Sequence, residues 1–600
     1  MNSSNRSRTK TSSNSSCAAS NPPVFALFED RLAPAGAPAA WLLTGLVEAQ
    51  AISDLGTLRQ ALEGADAWTA IALDYELGYL LEPAAAPAAR ATSTLDRPLA
   101  RLWRFETCRQ LTGVEAEAYI ADALSDMTDA AAGIGGLEAG IDIATYEQAV
   151  ERIQALIEAG DCYQVNFTFP LDFTWFGSPL ALYAALRHRQ PVRYGGIVVA
   201  GGEALVSLSP ELFLERQGNR LTTRPMKGTA PKAEAASALL GSEKNRAENL
   251  MIVDLLRNDL GRVADIGSVT VESLFEIEEY PTVRQMVSQV AANVSNACLF
   301  DILGAMFPCG SVTGAPKIRA MQIAAGLEKE ARGIYTGALG WIAPHGDFRL
   351  NVAIRTLELA ADGRGRLGIG SGIVADSDAA EEWRECGLKA AFLTELDPGF
   401  SLIETLRREA GVYPRLSGHL ERLAASAAWL GFGYDESTVR QALATAPAIG
   451  TWRVRLMLDK RGEVEISTAA LPPEPDGAHQ ACLANDRLDS RHVLRRHKTT
   501  VRGQYDRALA ELASRPEVFD VIFLNERGEV AEGARSNVFV ERDGILLTPP
   551  VDSGALPGVL RAELLASGKA REAVLHAADL VGEIWLGNAL RGLVPVTLGR

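Results

Sequence analysis

The stretch YGGIVVAGGEALVSLSPELFLERQGNRLTTRPMKG, residues 194–228, decides the fold. Short runs of Val, Ile, Leu and Phe are interrupted by Gly-Gly, Ser-Pro and Gly-Asn. Branched and aromatic residues suit a pleated surface, while Gly, Pro and Asn turn the chain. Three short strands with glycine-containing turns are predicted. The stretch runs into RPMKGTAPK (224–232), where Pro225 fixes one backbone angle and Gly228 relaxes the next. Lys227 is predicted to sit in that turn, offered to a pocket. A lone lysine there reads equally well as a solvated cation, so its neighbours must decide.

Upstream, GDCYQVNFTFPLDFTW (160–175) alternates apolar and polar residues and predicts a strand. Downstream, 242–260 predicts a helix capped by Ser242 and stopped by Gly261, with Leu250, Val253, Leu256 and Leu260 as its apolar stripe. DFRLNVAIRTLELA (347–360) and GRLGIGSGIVADSD (365–378) return to strands, and 379–396 is a second helix. FPCGSVTGAPKIRAMQI (307–323) is a loop leading into a helix at Lys317. Asp397-Pro398-Gly399 is a strong breaker and marks a domain boundary. Beyond it, 400–432 reads as a strand hairpin and an Ala-rich helix, and 451–467 as a hairpin around Lys460-Arg461-Gly462. LPPEPDGAHQ (471–480) is a Pro-rich link between two lobes, about 400–470 and 481–600. The expected domains are thus 23–397 and 398–600. LEPAAAPAARATSTLDRP (81–98) is a surface excursion, and the Ser/Asn-rich residues 1–22 are a disordered tail.

Composition narrows the function. A net charge of −16 disfavours a nucleic-acid partner, which needs clustered Lys and Arg. No apolar run reaches the roughly 18 residues of a membrane span. Seven scattered cysteines without a C-x-x-C pair suggest reduced thiols and a cytoplasmic protein.

Taken in order, the blocks around 160–166, 211, 227, 242–263, 307–323, 334–341, 352–356 and 368–385 make the first domain similar to the chorismate-utilising enzymes. The resemblance implies a fold of the α+β / α/β class, the chorismate-utilising-enzyme α/β sandwich. It also implies Mg²⁺ held by Glu248 and Glu385, with Glu382 close or water-mediated, gripping the substrate's ring carboxylate. Tyr335, Arg355 and the glycine-rich loop Gly370-Ser371-Gly372, with Ser311 and Lys389, would bind the substrate. Glu211 matches the family's general acid. Lysine at 227 resembles the aminodeoxychorismate synthase branch, where relatives making other products carry alanine. In that branch Lys227 attacks C2 of chorismate, the C4 hydroxyl leaves, and ammonia then enters at C4 and displaces the lysine. Gln285 departs from the histidine of several relatives, so no proton transfer is assigned there. No G-x-C-x-G elbow is visible, and Cys309 does not make one, so a glutamine amidotransferase subunit is expected to supply ammonia.

The second domain resembles the fold-type IV pyridoxal-phosphate enzymes, which include aminodeoxychorismate lyase. HLERL (419–423) implies Arg422 as a phosphate ligand, RRHKTT (495–500) implies Lys498 as the Schiff-base lysine, and EGARSN (532–537) implies Glu532 beside the pyridine nitrogen. LPGVLR (556–561) implies backbone donors at Gly558, Val559 and Leu560 for the phosphate. Leu560 and Ala589 stand where relatives carry hydroxyls. A two-lobed pyridoxal-phosphate domain, forming a homodimer, is expected. Together the halves imply amination of chorismate followed by release of pyruvate to give 4-aminobenzoate, on the route to folate. An anthranilate synthase-like first domain, with an aminotransferase or non-catalytic second domain, stays open.

Overall fold

The computed structural model describes residues 24–599, except 65, 87–96, 126–130, 281–282, 472–478, 513–514 and 516. The N-terminal tail, most of the 81–98 excursion and most of the 471–480 link lie outside the described residues. No described helix is long and apolar enough to cross a membrane. The six described cysteines are free.

In the first domain 18 strands hydrogen-bond into one connected sheet system. Helices cover its two halves and close two large cores. One gathers Tyr146, Phe167, Phe173 and Leu186, the other Phe213, Leu256, Leu303 and Phe348. This is the expected α/β sandwich. Residues 194–231 make five strands instead of three: Tyr194–Ala200, Glu203–Ser209, Leu212–Gln217, Arg220–Arg224 and Met226–Pro231. Gly201 and Gly202, both at positive φ, close one hairpin in two residues, a turn suited to the twist of the strands it joins. Pro210 and Pro225 interrupt pairing for a residue or two without ending the sheet, so fewer strands are legible from composition.

Lys227 lies within the strand Met226–Pro231, not in a turn. The ladder to the neighbouring strand Val283–Asn293 nevertheless slips between Met226 and Thr229, so Lys227 and Gly228 form a bulge. Bulges re-aim a side chain, and Gly228 takes the required positive φ of 91°. The Glu243–Gly261 helix begins where expected, with the Ser242 hydroxyl accepting from Asn245 N–H. Its buried stripe is Asn249, Ile252, Val253, Leu256 and Leu260, whereas Leu250 is 49% exposed.

The second domain has a three-stranded antiparallel sheet, Leu402–Glu409, Thr451–Leu458 and Val464–Ala470, and a separate eight-stranded sheet. The 460–462 hairpin forms as expected. The first expected hairpin does not: after Leu402–Glu409 only an isolated Glu409–Val412 bridge forms before the Leu416–Leu430 helix. At the junction Phe176 of the first domain packs with Phe400, which stacks on Phe432 at a centroid distance of 5.7 Å. One apolar core therefore spans the boundary.

Candidate active sites

Glu211 follows Pro210 at the break between two strands and is only 3% exposed. The Ser311 hydroxyl donates to its Oε1 at 2.6 Å. Burial pushes the Glu211 carboxyl up to about 7, against the opposing pull of Ser311 and Lys227. It is therefore a carboxylic acid that can give up a proton near neutrality. Burial also pushes the Lys227 ammonium down, opposed by the negative charge of Glu211 and assisted by Lys389. A lysine whose ammonium is disfavoured by burial thus sits in the field of a carboxyl pushed up to about 7, a pairing suited to nucleophilic attack with acid-assisted departure.

The bulge carrying Lys227 is pinned by Asn249. Its Nδ2 donates to Met286 O at 3.3 Å and lies 3.5 Å from Lys227 O, while its Oδ1 accepts from Ser288 Oγ at 2.6 Å. Sequence reasoning passed over Asn249. Its one signal is a polar residue within the buried helical stripe.

Glu248 and Glu385 both act on the charge of Lys227. Lys389 bonds Glu385 at 2.7 Å and Gly370 O at 3.0 Å. Glu382 accepts from Ser377 Oγ at 2.8 Å, which ties it to the turn before its helix. Among the described residues no three His, Cys, Asp or Glu side chains cluster closely enough to enclose an ion. Two hard carboxylates suit Mg²⁺ only where substrate or water oxygens complete the shell, as is usual for that ion.

Gly370-Ser371-Gly372 is not a loop. It lies within the strand Arg364–Ile373, paired along its length with Gln164–Phe176. The glycines answer to close approach. A Cβ at Gly368 would come within 2.1 Å of the Tyr335 ring, and one at Gly372 within 2.3 Å of Gln164 Nε2. Side chains alternate across a strand. Ser371 accordingly faces the opposite way, where its Oγ and Tyr146 OH are 2.7 Å apart. Arg355 is held at a φ of 50°, and its guanidinium pKa is lowered by burial with Tyr280 as its ionisable neighbour. Tyr335 and Arg355 do not join the chain of contacts linking Lys227, Glu211, Ser311, Lys389 and Gly370. Gln285 is buried, and its Oε1 has no protein partner among the described residues.

The second site is a cavity of about 700 Å³ lined by Arg422, Lys498, Tyr505, Glu532 and Gly558. Burial, then the charge of Arg422, pushes the Lys498 ammonium down to about 8. Arg422 donates to Glu404 at 2.8 and 2.6 Å and to Pro557 O at 3.1 Å. Glu404 also meets His419 Nδ1 at 2.7 Å, and the Arg422 charge together with these hydrogen bonds overcomes its burial to hold the carboxyl at about 2. His419 Nε2 is buried on the cavity wall without a protein partner among the described residues. Glu532 accepts from Tyr505 OH and from Leu556 N–H. Glu404 and Tyr505 were not legible as site residues, since each is defined by partners distant in the chain.

These residues fit pyridoxal phosphate: an amine of lowered pKa, a buried acid across the cavity, and an arginine with an orphaned imidazole for a dianion. Gly558 caps the Val559–Ala566 helix, and a Cβ there would lie 2.0 Å from Asn537 Oδ1. The Gly558 N–H donates to Leu556 O at 2.8 Å, leaving Val559 and Leu560 as the first-turn donors without intrahelical partners. The Leu560 side chain fills a core with Phe539 and Leu564.

One consequence is measurable. The protonated form of Glu211 is lost as pH rises through about 7, so any reaction that uses it as an acid should fall over that range. Ser311 favours the ionised form by donating to it. Ser311→Ala should move the alkaline limb of kcat/KM to higher pH. A limb that stays in place would mean that another group titrates.

The family described as chorismate binding enzyme matches residues 45–395, and that described as amino-transferase class IV matches 401–598. Over 305 residues the chain is 40% identical to aminodeoxychorismate synthase of Streptomyces griseus, covering 47% of this chain and 42% of that protein. Over 304 residues it is 37% identical to anthranilate synthase component 1 of Streptomyces coelicolor, covering 49% and 59%. The chain thus spans about half the length of these curated relatives. The crystal structure of anthranilate synthase component I from Streptococcus pneumoniae aligns with a TM-score of 0.50 at 25% identity, over 64% of this chain and 94% of that one. The first match covers more than half of the residues: the chain belongs to the chorismate binding enzyme family and carries an amino-transferase class IV domain behind it.

Proposed function

We propose that the first domain replaces the C4 hydroxyl of chorismate by an amino group, and that the second releases pyruvate from the product to leave 4-aminobenzoate. The pairing of Lys227, whose ammonium burial disfavours, with Glu211, whose carboxyl burial pushes up to about 7, carries this reading. Lys227 bonds to C2 as the C4 hydroxyl departs as water with the proton of Glu211. Ammonia then bonds to C4 and the lysine leaves C2, so chorismate and ammonia become aminodeoxychorismate and water. Glu248 and Glu385 would hold Mg²⁺, which would neutralise the ring carboxylate. Tyr335, Arg355, Ser311, Lys389 and the backbone of 370–372 would bind the remaining substrate oxygens. A separate glutamine amidotransferase would supply ammonia.

In the second domain pyridoxal phosphate would supply an electron sink. Arg422, His419 and the first-turn N–H groups of Val559 and Leu560 would hold its phosphate, and Glu532 its ring nitrogen. Lys498 would take the C4 proton as the enolpyruvyl group leaves. The substrate becomes aromatic, which drives the step. The domain is proposed to pair with a second copy of itself.

The similarity to anthranilate synthase components favours a second reading, amination at C2. Incubation with chorismate, ammonia and Mg²⁺ separates the two: 4-aminobenzoate and pyruvate support the proposal, and 2-aminobenzoate overturns it.

Metal dependence gives a further expectation. Glu248→Gln and Glu385→Gln should each weaken Mg²⁺ and chorismate binding together, on the order of 10–100-fold. Unchanged Mg²⁺ titrations in both variants would exclude these carboxylates as ligands.

A further inference from the structure

The strand Gly133–Ala139 of the first domain meets the Leu416–Leu430 helix of the second. Its ladder to Gln164–Phe176 slips between Gly135 and Glu138, and Gly136 sits at a φ of 61°. A Cβ built on Gly135 would lie 2.1 Å from Trp429 Cζ3, and one on Gly136 would lie 2.8 Å from Trp429 Nε1. The main chain of the first domain therefore rests directly against the indole, an approach that only glycine permits.

The same indole stacks on His497, with centroids 4.7 Å apart and planes at 23°. Ser426 Oγ, one turn earlier on the Trp429 helix, is 3.0 Å from His497 Nδ1. Burial keeps this imidazole neutral, pushed down to about 4. His497 is joined by its peptide bond to Lys498. The Lys498 carbonyl is itself held by Ile403 N–H at 2.8 Å. The lysine backbone is thus clamped by its own domain's strand on one side. On the other stands a stack of imidazole, indole and the main chain of the neighbouring domain.

We propose that Gly135 and Gly136 are positioning residues for Lys498, acting through Trp429 and His497, so that the first domain completes the second site. This rests on the reading of Lys498 as the lysine that binds pyridoxal phosphate. The stack fixes the height and tilt of the 497–498 segment over the cavity. Pushing the indole outward displaces the amine relative to Arg422 and Glu532, while the Lys227 cleft, built by other strands, is untouched.

The test uses the full chain. Pyridoxal phosphate affinity and the pH titration of the bound cofactor's visible absorbance are measured for wild type, Gly135→Ala, Trp429→Ala and the double variant. Chorismate consumption with ammonia is followed in parallel. Either single substitution should raise the Kd for the cofactor roughly tenfold or more and move the titration midpoint, with chorismate consumption unchanged. On the Trp429→Ala background, Gly135→Ala should add little, because the clash it creates is with the missing ring. Single variants with wild-type affinity and midpoint would overturn the proposal, as would effects that simply add. If Gly135→Ala does not fold, Trp429→Ala alone still decides by the same two readouts. A wild-type protein whose cofactor is not trapped on Lys498 by borohydride would instead overturn the underlying reading of the site.

Discussion

Lys227→Ala should abolish the proposed amination: chorismate incubated with ammonia and Mg²⁺ should be consumed at least about 10⁴-fold more slowly, while supplied aminodeoxychorismate should still be cleaved. The expected size follows from removing a nucleophile, for which losses of this order are typical. Without the amine, no bond forms at C2 and the hydroxyl at C4 has no electron push behind it. The remaining groups, Glu211 with its Ser311 partner and the Glu248/Glu385 pair, still bind substrate, so the loss should fall on kcat with little change in KM. Lys227→Arg should not rescue, because a guanidinium stays charged and cannot attack. Amination by Lys227→Ala at the wild-type rate would sink the covalent route and reopen the anthranilate-type reading.

Lys498→Ala produces the complementary defect. The first step continues, aminodeoxychorismate accumulates, and pyruvate formation falls by at least about 10⁴-fold. Two properties of Lys498 set the expectation. Its pKa near 8 leaves a usable fraction of free amine at neutral pH, and Glu532 and Arg422 face the same cavity. Cofactor absorbance should change, yet some pyridoxal phosphate should remain bound through Arg422, His419 and the helix N-terminus. Addition of a separate aminodeoxychorismate lyase should restore 4-aminobenzoate. Undiminished pyruvate from Lys498→Ala would remove the second domain from the pathway.

Local chemistry made much of this legible. The Ser242 cap, the helix at Lys317 and the 460–462 hairpin depend on residues adjacent in the chain, and the structure has each. What failed depends on distant partners. The GIGSG run looks like a flexible anion loop, but its glycines are selected by the Tyr335 ring, Phe167 O and Gln164, none of them nearby in sequence. Pro225 and Gly228 suggest a turn, while pairing with Val283–Asn293 makes a bulged strand. Glu404 is invisible as a site residue because its meaning comes from His419 and Arg422. Leu250 was placed in the buried stripe because an apolar residue at helical spacing does not reveal which side its neighbours cover. The side chains missed, Asn249, Glu404 and Tyr505, are ones that hold others in place: the Lys227 bulge, Arg422 and Glu532.

The shared aromatic core of Phe176, Phe400 and Phe432 has an evolutionary consequence. Aromatic contacts of this kind each contribute about 0.5–1.5 kcal/mol beyond their buried area. A substitution that loosens them lowers the margin above the folding threshold for both domains at once. The two halves then draw on a common reserve of mutational tolerance. A change that weakens this junction is therefore felt by both halves, and a change that strengthens it shelters both.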